Sequence, residues 1–118
     1  MYIYTGGEPL VRKKDLIRLC EKHNDCIFLS FTNATLIDED FANDMLRVGN
    51  FVPAISLEGF ETATDGRRGN GVYQKVIKAI NLLREKKLVF GISGMLYECK
   101  FRVYHIRGIF TTALIDLW

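Results

Sequence analysis

Gly6, Gly7, Glu8 and Pro9 form the densest group of chemically useful residues in the sequence. They stand where a short apolar run, Tyr2 to Thr5, gives way to a loop and then to a helical pattern. Neither glycine carries a Cβ, so the backbone there can take positive φ or come close to a ligand. Glu8 adds a carboxylate suited to an ammonium, because such a pair is charge-assisted. Pro9 fixes the path of the chain leaving the turn. Three later apolar runs also end on polar groups: Thr32 and Asn33, then Ser56 and Glu58, then Ser93 and Gly94. In a parallel α/β sheet the C-terminal ends of successive strands converge on one face, where ligands bind. Four such ends in order suit an adenosine-sized ligand with an amine, a ribose and a carboxylate. Taken alone, the first of them also reads as an ordinary strand-to-helix turn.

The elements that must position these groups follow from periodicity. Tyr2 to Thr5 is a short strand, and Arg12 to about His23 a helix with Leu16, Leu19, Cys20 and His23 on one face. Ile27 to Thr32 is a β-rich apolar run of the kind covered on both faces. Asp38 can cap the next helix, whose face carries Phe41, Ala42, Met45 and Leu46 and which stops near Gly49. Val52 to Leu57 is the third strand. A glycine-rich, charged connection from Glu58 to Gly71 leads to a helix marked by Tyr73, Val76, Ile77, Ile80 and Leu83. Within it, the Asn70-Gly71 turn serves to open that helix and completes no phosphate-binding fingerprint. Lys87 has to close the helix without a glycine, and Leu88 to about Leu96 is the fourth strand. The fold class is therefore α/β, built from parallel-sheet βα units joined by right-handed crossovers. Periodicity alone leaves an open doubly wound sheet and an arc of a barrel as alternatives.

The chain has 118 residues, 48% of them hydrophobic and 25% charged, which fits one small soluble domain or a piece of a larger one. A net charge of +2 gives no argument for nucleic acid or for an anionic membrane surface. No apolar run approaches the roughly 18 residues of a membrane span, and no secretory signal opens the chain, so a cytoplasmic location is expected. Cys20, Cys26 and Cys99 form no metal-ligand pattern; the first two read as small buried hydrophobes, and Cys99 has no assigned role. From Tyr97 to Trp118 neither helical nor alternating spacing holds, basic residues mix with aromatic ones, and the end is apolar. The sequence thus divides into residues 1–96 and a divergent tail, 97–118.

Gly-Gly-Glu-Pro-Leu, Phe-Thr-Asn-Ala-Thr-Leu, Ile-Ser-Leu-Glu-Gly-Phe-Glu, Thr-Asp-Gly-Arg-Arg-Gly-Asn-Gly-Val-Tyr and Phe-Gly-Ile-Ser resemble, in order and spacing, the core of radical SAM enzymes. The resemblance covers about residues 1–95 and is greatest to Fe–S oxidoreductases related to members with extra C-terminal cluster domains. It implies an arc of a partial (β/α)6 TIM-like barrel, its second to fifth strands. It also implies S-adenosylmethionine as cofactor, cleaved by an electron from a [4Fe–4S] cluster to a 5′-deoxyadenosyl radical. By this resemblance Gly6 and Gly7, with Glu8 and Pro9, receive the methionyl amino group. Thr32 and Asn33 line the same mouth, and Ser56 and Glu58 lie near the ribose and methionyl groups. Arg67 or Arg68 is the candidate for the methionyl carboxylate, since a guanidinium binds one in bidentate fashion; solvation of a loop is the other reading of both.

The family's Cys-x3-Cys-x2-Cys motif precedes Gly-Gly-Glu-Pro, and none of the three cysteines here can be placed on it. No convincing further barrel strand is read in 97–118. The expectation is an internal fragment that binds S-adenosylmethionine, is inactive alone, and has no metal ligands of its own. Its substrate is unknown. The alternatives are a non-catalytic fragment that pairs with another chain or with itself, and an unrelated nucleotide-binding α/β domain.

Overall fold

The βα units expected from periodicity are all present in the computed structural model, which describes residues 1–57 and 61–93. Strand β1 (Tyr2–Tyr4) leads through a 3-10 turn (Pro9–Arg12) into helix α1 (Lys13–Lys22). Strand β2 (Phe28–Thr32) precedes α2 (Glu39–Val48). Strand β3 (Phe51–Ser56) is followed by two helices, α3 (Glu61–Arg68) and α4 (Val72–Glu85), and then by β4 (Gly91–Ser93). The strands are parallel in the spatial order β1-β2-β3-β4.

Register fixes which side chains share a face. Phe28 pairs with Phe51, Ser30 with Pro53 and Thr32 with Ile55, so these six point the same way. Phe28, Phe51 and Ile55 are buried in one cluster with Ile17 of α1, Phe41 of α2 and Leu83 of α4. The other face carries Ile3, Leu29, Val52 and Phe31, which are exposed or half-buried. Sequential parallel strands whose helices pack on one face make an arc of a barrel, because a doubly wound sheet reverses its strand order and covers both faces. The expectation of a β2 covered on both faces is corrected accordingly: its burial alternates along the strand.

Local chemistry sets the boundaries. Asp38 caps α2, its Oδ1 accepting from Phe41 N at 2.8 Å, and Gly49 ends that helix at φ 71°. Lys87 closes α4 at φ 55°, as the missing glycine required, at a cost of about 1 kcal/mol. Asn50 Nδ2 donates to the carbonyls of Cys20, His23 and Cys26 at 2.9–3.1 Å, fastening the end of α1 to the start of β3.

Four readings change. On α1 the buried stripe is Leu16, Ile17 and Cys20, with Leu19 at the rim and His23 exposed beyond the last turn. Leu46 of α2 is exposed. Part of the connection from Glu58 to Gly71 is helix α3, with an acid in its first turn, Arg67 and Arg68 in its last and Gly69 at φ 102° after it. Strand β4 begins at Gly91, because Leu88 uses its N–H to close α4 on the Leu83 carbonyl at 2.9 Å. Residues 97–118 lie outside the described residues.

Candidate functional site

Gly6 and Gly7 follow β1 at φ 88° and 56°. Among the described residues a Cβ built on either meets no atom within 4 Å, so the backbone conformation, not crowding, requires glycine there.

Glu8 ties the loop to the neighbouring strand. Its Oε1 accepts from Leu10 N at 3.0 Å, capping the 3-10 turn that Pro9 begins, and from Thr32 Oγ1 at 2.7 Å. Its Oε2 accepts from Asn33 N at 2.8 Å. Leu10, only 1% exposed, anchors the turn in the core. Three of the roughly four acceptor positions of the carboxylate are thus filled by described residues, and among these none takes the remaining position on Oε2.

Thr32 is 2% exposed, and its hydroxyl also accepts from Ala34 N at 3.0 Å. The side chain expected to line the mouth is therefore turned into the protein, on the helix side of the sheet. Asn33 is half-buried; its Oδ1 accepts from Thr35 N at 3.0 Å and Thr35 Oγ1 at 2.7 Å, making a tight turn around Ala34 at φ 61°. Ser56 ends β3 opposite Ser93 of β4, and Leu57 N donates to the Ser93 carbonyl at 2.9 Å. Both serines are half-buried on the face opposite the helices. Gly6 to Glu8, Asn33, Ser56 and Ser93 thus form one row along the C-terminal edge of the sheet. Glu58 and Gly94 lie outside the described residues.

Arg67 and Arg68 are exposed in the last turn of α3. The connection after them is organised by Asp65, which accepts from Tyr73 N at 2.8 Å and Gly71 N at 2.9 Å, the bonds that hold its carboxyl below the usual range. Asp65 and the Glu8–Thr32 bond both escaped the sequence reading. An acid six residues before a glycine-led helix start was the available signal for the first; nothing local signals the second.

An iron–sulfur cluster does not fit the thiols described. Cys20 is 1% exposed in the core, and burial pushes its thiol up to about 11, far from the thiolate a metal needs. Cys26 precedes β2 by two residues and Asn33 by seven, about 23 Å of extended chain at ~3.3 Å per residue. Among the described residues no group of three or more His, Cys, Asp or Glu side chains is placed to hold a metal ion. Cys99 lies outside them. A surface groove of about 360 Å³ beside Arg12, Arg18 and Leu19 is lined by side chains of one helix and the turn before it, and by none of Gly6 to Glu8, Asn33, Ser56 or Ser93.

A sequence profile of the Radical SAM superfamily matches residues 1–100. The chain belongs to the radical SAM superfamily. It is 29% identical over 93 residues to an Fe-coproporphyrin III synthase of Methanosarcina barkeri (strain Fusaro / DSM 804), covering 76% of this chain and 23% of that protein. An uncharacterized protein of Archaeoglobus fulgidus is 35% identical over 80 residues, covering 67% of this chain and 19% of its own length. A solved structure of native anSMEcpe with bound AdoMet and Kp18Cys peptide matches with a TM-score of 0.63 at 27% identity, over 77% of this chain and 28% of that one. The parallel sheet and its helices therefore resemble part of a radical SAM barrel. The chain spans less than a third of the length of these relatives.

Proposed function

We propose that this chain supplies the S-adenosylmethionine-binding strand ends of a radical SAM core. One observation carries the reading: Glu8 joins the open Gly6–Gly7 loop to Asn33 at the C-terminal edge of a parallel sheet. The backbone carbonyls of Gly6 and Gly7, and the remaining acceptor position on Glu8, suit the methionyl ammonium, while Pro9 holds the turn. Asn33, Ser56 and Glu58 serve the ribose and methionyl groups, and Arg68, or Arg67 beside it, the carboxylate. Thr32 contributes from beneath. Residues 1–96 are the core in this reading, and a cytoplasmic place of action goes with it. No helix among the described residues is long and apolar enough to cross a membrane.

In the superfamily, the cluster supplies the electron that cleaves S-adenosylmethionine. The described residues offer no ligand set for it, so the role proposed here is confined to binding, and the chain alone is inactive in reductive cleavage. Equilibrium dialysis of the 118-residue chain against labelled S-adenosylmethionine tests the reading. Saturable binding that ATP does not displace is expected. Displacement by ATP would favour a general nucleotide site, and no binding at millimolar ligand, where even about 4 kcal/mol of affinity registers, would sink the reading.

A second reading, an interaction fragment whose barrel is completed by another chain or by its own copy, is favoured by the edge strand β1. Ile3 is 54% exposed there, and among the described residues β1 pairs only with β2. Unpaired strand edges template further pairing. A monodisperse monomer by light scattering would count against it.

A further inference from the structure

Thr32 sits at a junction that its burial closes to any ligand. The hydroxyl donates to Glu8 Oε1 at 2.7 Å and accepts from Ala34 N at 3.0 Å. It thereby joins two segments of unusual backbone: the Gly6–Gly7 loop, at φ 88° and 56°, and the turn through Ala34, at φ 61°. Such conformations cost about 1 kcal/mol or more for a residue with a Cβ and persist only when the surroundings hold them. The second arm of the same carboxylate runs from Oε2 to Asn33 N at 2.8 Å, so strand ends one and two are pinned at two points. We infer that Thr32 is a positioning residue for bound S-adenosylmethionine: its hydroxyl orients Glu8, and through Glu8 it sets the separation of the Gly6–Gly7 backbone from Asn33. The inference rests on the binding reading above and replaces direct contact by Thr32 with action through Glu8.

The hydroxyl, not the bulk of the side chain, is the operative group. Thr32→Val and Thr32→Ala both remove it and differ in size; Thr32→Ser keeps it and loses a methyl. The test uses the ¹⁵N-labelled 118-residue chain, titrated with S-adenosylmethionine below the melting temperature of each variant, with amide exchange read in the same samples. Thr32→Val and Thr32→Ala are expected to bind about tenfold more weakly than wild type, the factor that about 1.4 kcal/mol represents. In both, the amides of Leu10 and Asn33, which donate to Glu8, exchange faster. Thr32→Ser is expected to stay near wild type in both measurements. Affinity that follows side-chain size, with Thr32→Ser falling beside Thr32→Ala, or Thr32→Val binding as wild type does, overturns the inference and leaves the binding site standing. Failure of the wild type to bind removes the site reading and this inference with it.

Discussion

Glu8→Gln is the substitution on which the geometry speaks most directly. Three donors aim at this carboxylate: Leu10 N and Thr32 Oγ1 at one oxygen, Asn33 N at the other. A glutamine has one acceptor oxygen and one NH2 group, so no rotamer satisfies all three. With its oxygen toward Leu10 and Thr32, the NH2 meets the Asn33 N–H; reversed, it meets two donors. At least one charge-assisted bond is lost and one part-buried N–H is stranded, together about 2–3 kcal/mol of stability. For a domain of this size that lowers the melting temperature by roughly 8–20 °C. S-adenosylmethionine affinity, measured by calorimetry on the folded variant, should fall roughly 10- to 150-fold as the negative charge proposed to face the ammonium disappears. Glu61→Gln is the control. Its carboxylate accepts from Gln74 Nε2 at 3.1 Å in an exposed pair, so little change in either quantity is expected. A Glu8→Gln melting temperature within about 2 °C of wild type, or an unchanged affinity, would refute the reasoning, since neither survives the loss of one such bond.

Ser30 is fully buried and its Oγ has no partner among the described residues, so Ser30→Ala should stabilise the chain by about 1 kcal/mol, read as a rise in melting temperature. Asp38 is held below its ordinary value of 3.8, first by the Lys13 hydrogen bond and then by the Phe41 N–H. Its contribution is therefore complete above pH 3.8 and lost as pH falls through the lower folded value, so Asp38→Asn should flatten the acid limb of a stability–pH profile. Cys20 should resist thiol alkylation at pH 8 in the folded chain and react only on unfolding, followed by mass spectrometry, because burial holds its thiol protonated near 11.

The sheet was legible because its signals are local. Apolar runs bounded by polar ends gave the strands to within a residue or so for β1, β2 and β3, and Asp38 and Gly49 marked both ends of α2. Lys87 was legible by elimination. Readings failed where tertiary geometry decides. Ile17 rather than Leu19 is buried in the core, a choice set by how α1 is rotated about its axis. Helix α3 was hidden by its glycine and charges, which read as a loop until the acid-first, base-last order is weighed. The candidate site divides in the same way. Gly6, Gly7, Glu8, Asn33 and Ser56 were found as polar strand ends, and the sheet places them along one edge. The direction of the Thr32 side chain was not legible: side chains alternate along a strand, and the register that turns its hydroxyl inward toward Glu8 depends on a partner 24 residues away.

The strand ends of this chain are proposed to form the S-adenosylmethionine site. Backbone amide shifts of the 118-residue chain, followed as S-adenosylmethionine is added, test it most directly. Saturable shifts concentrated at Gly6, Gly7, Asn33 and Ser56 are expected, with the far ends of the strands, at Cys26 and Asn50, unmoved. Shifts confined to the groove on α1, or spread evenly over the chain without saturation, would contradict this assignment.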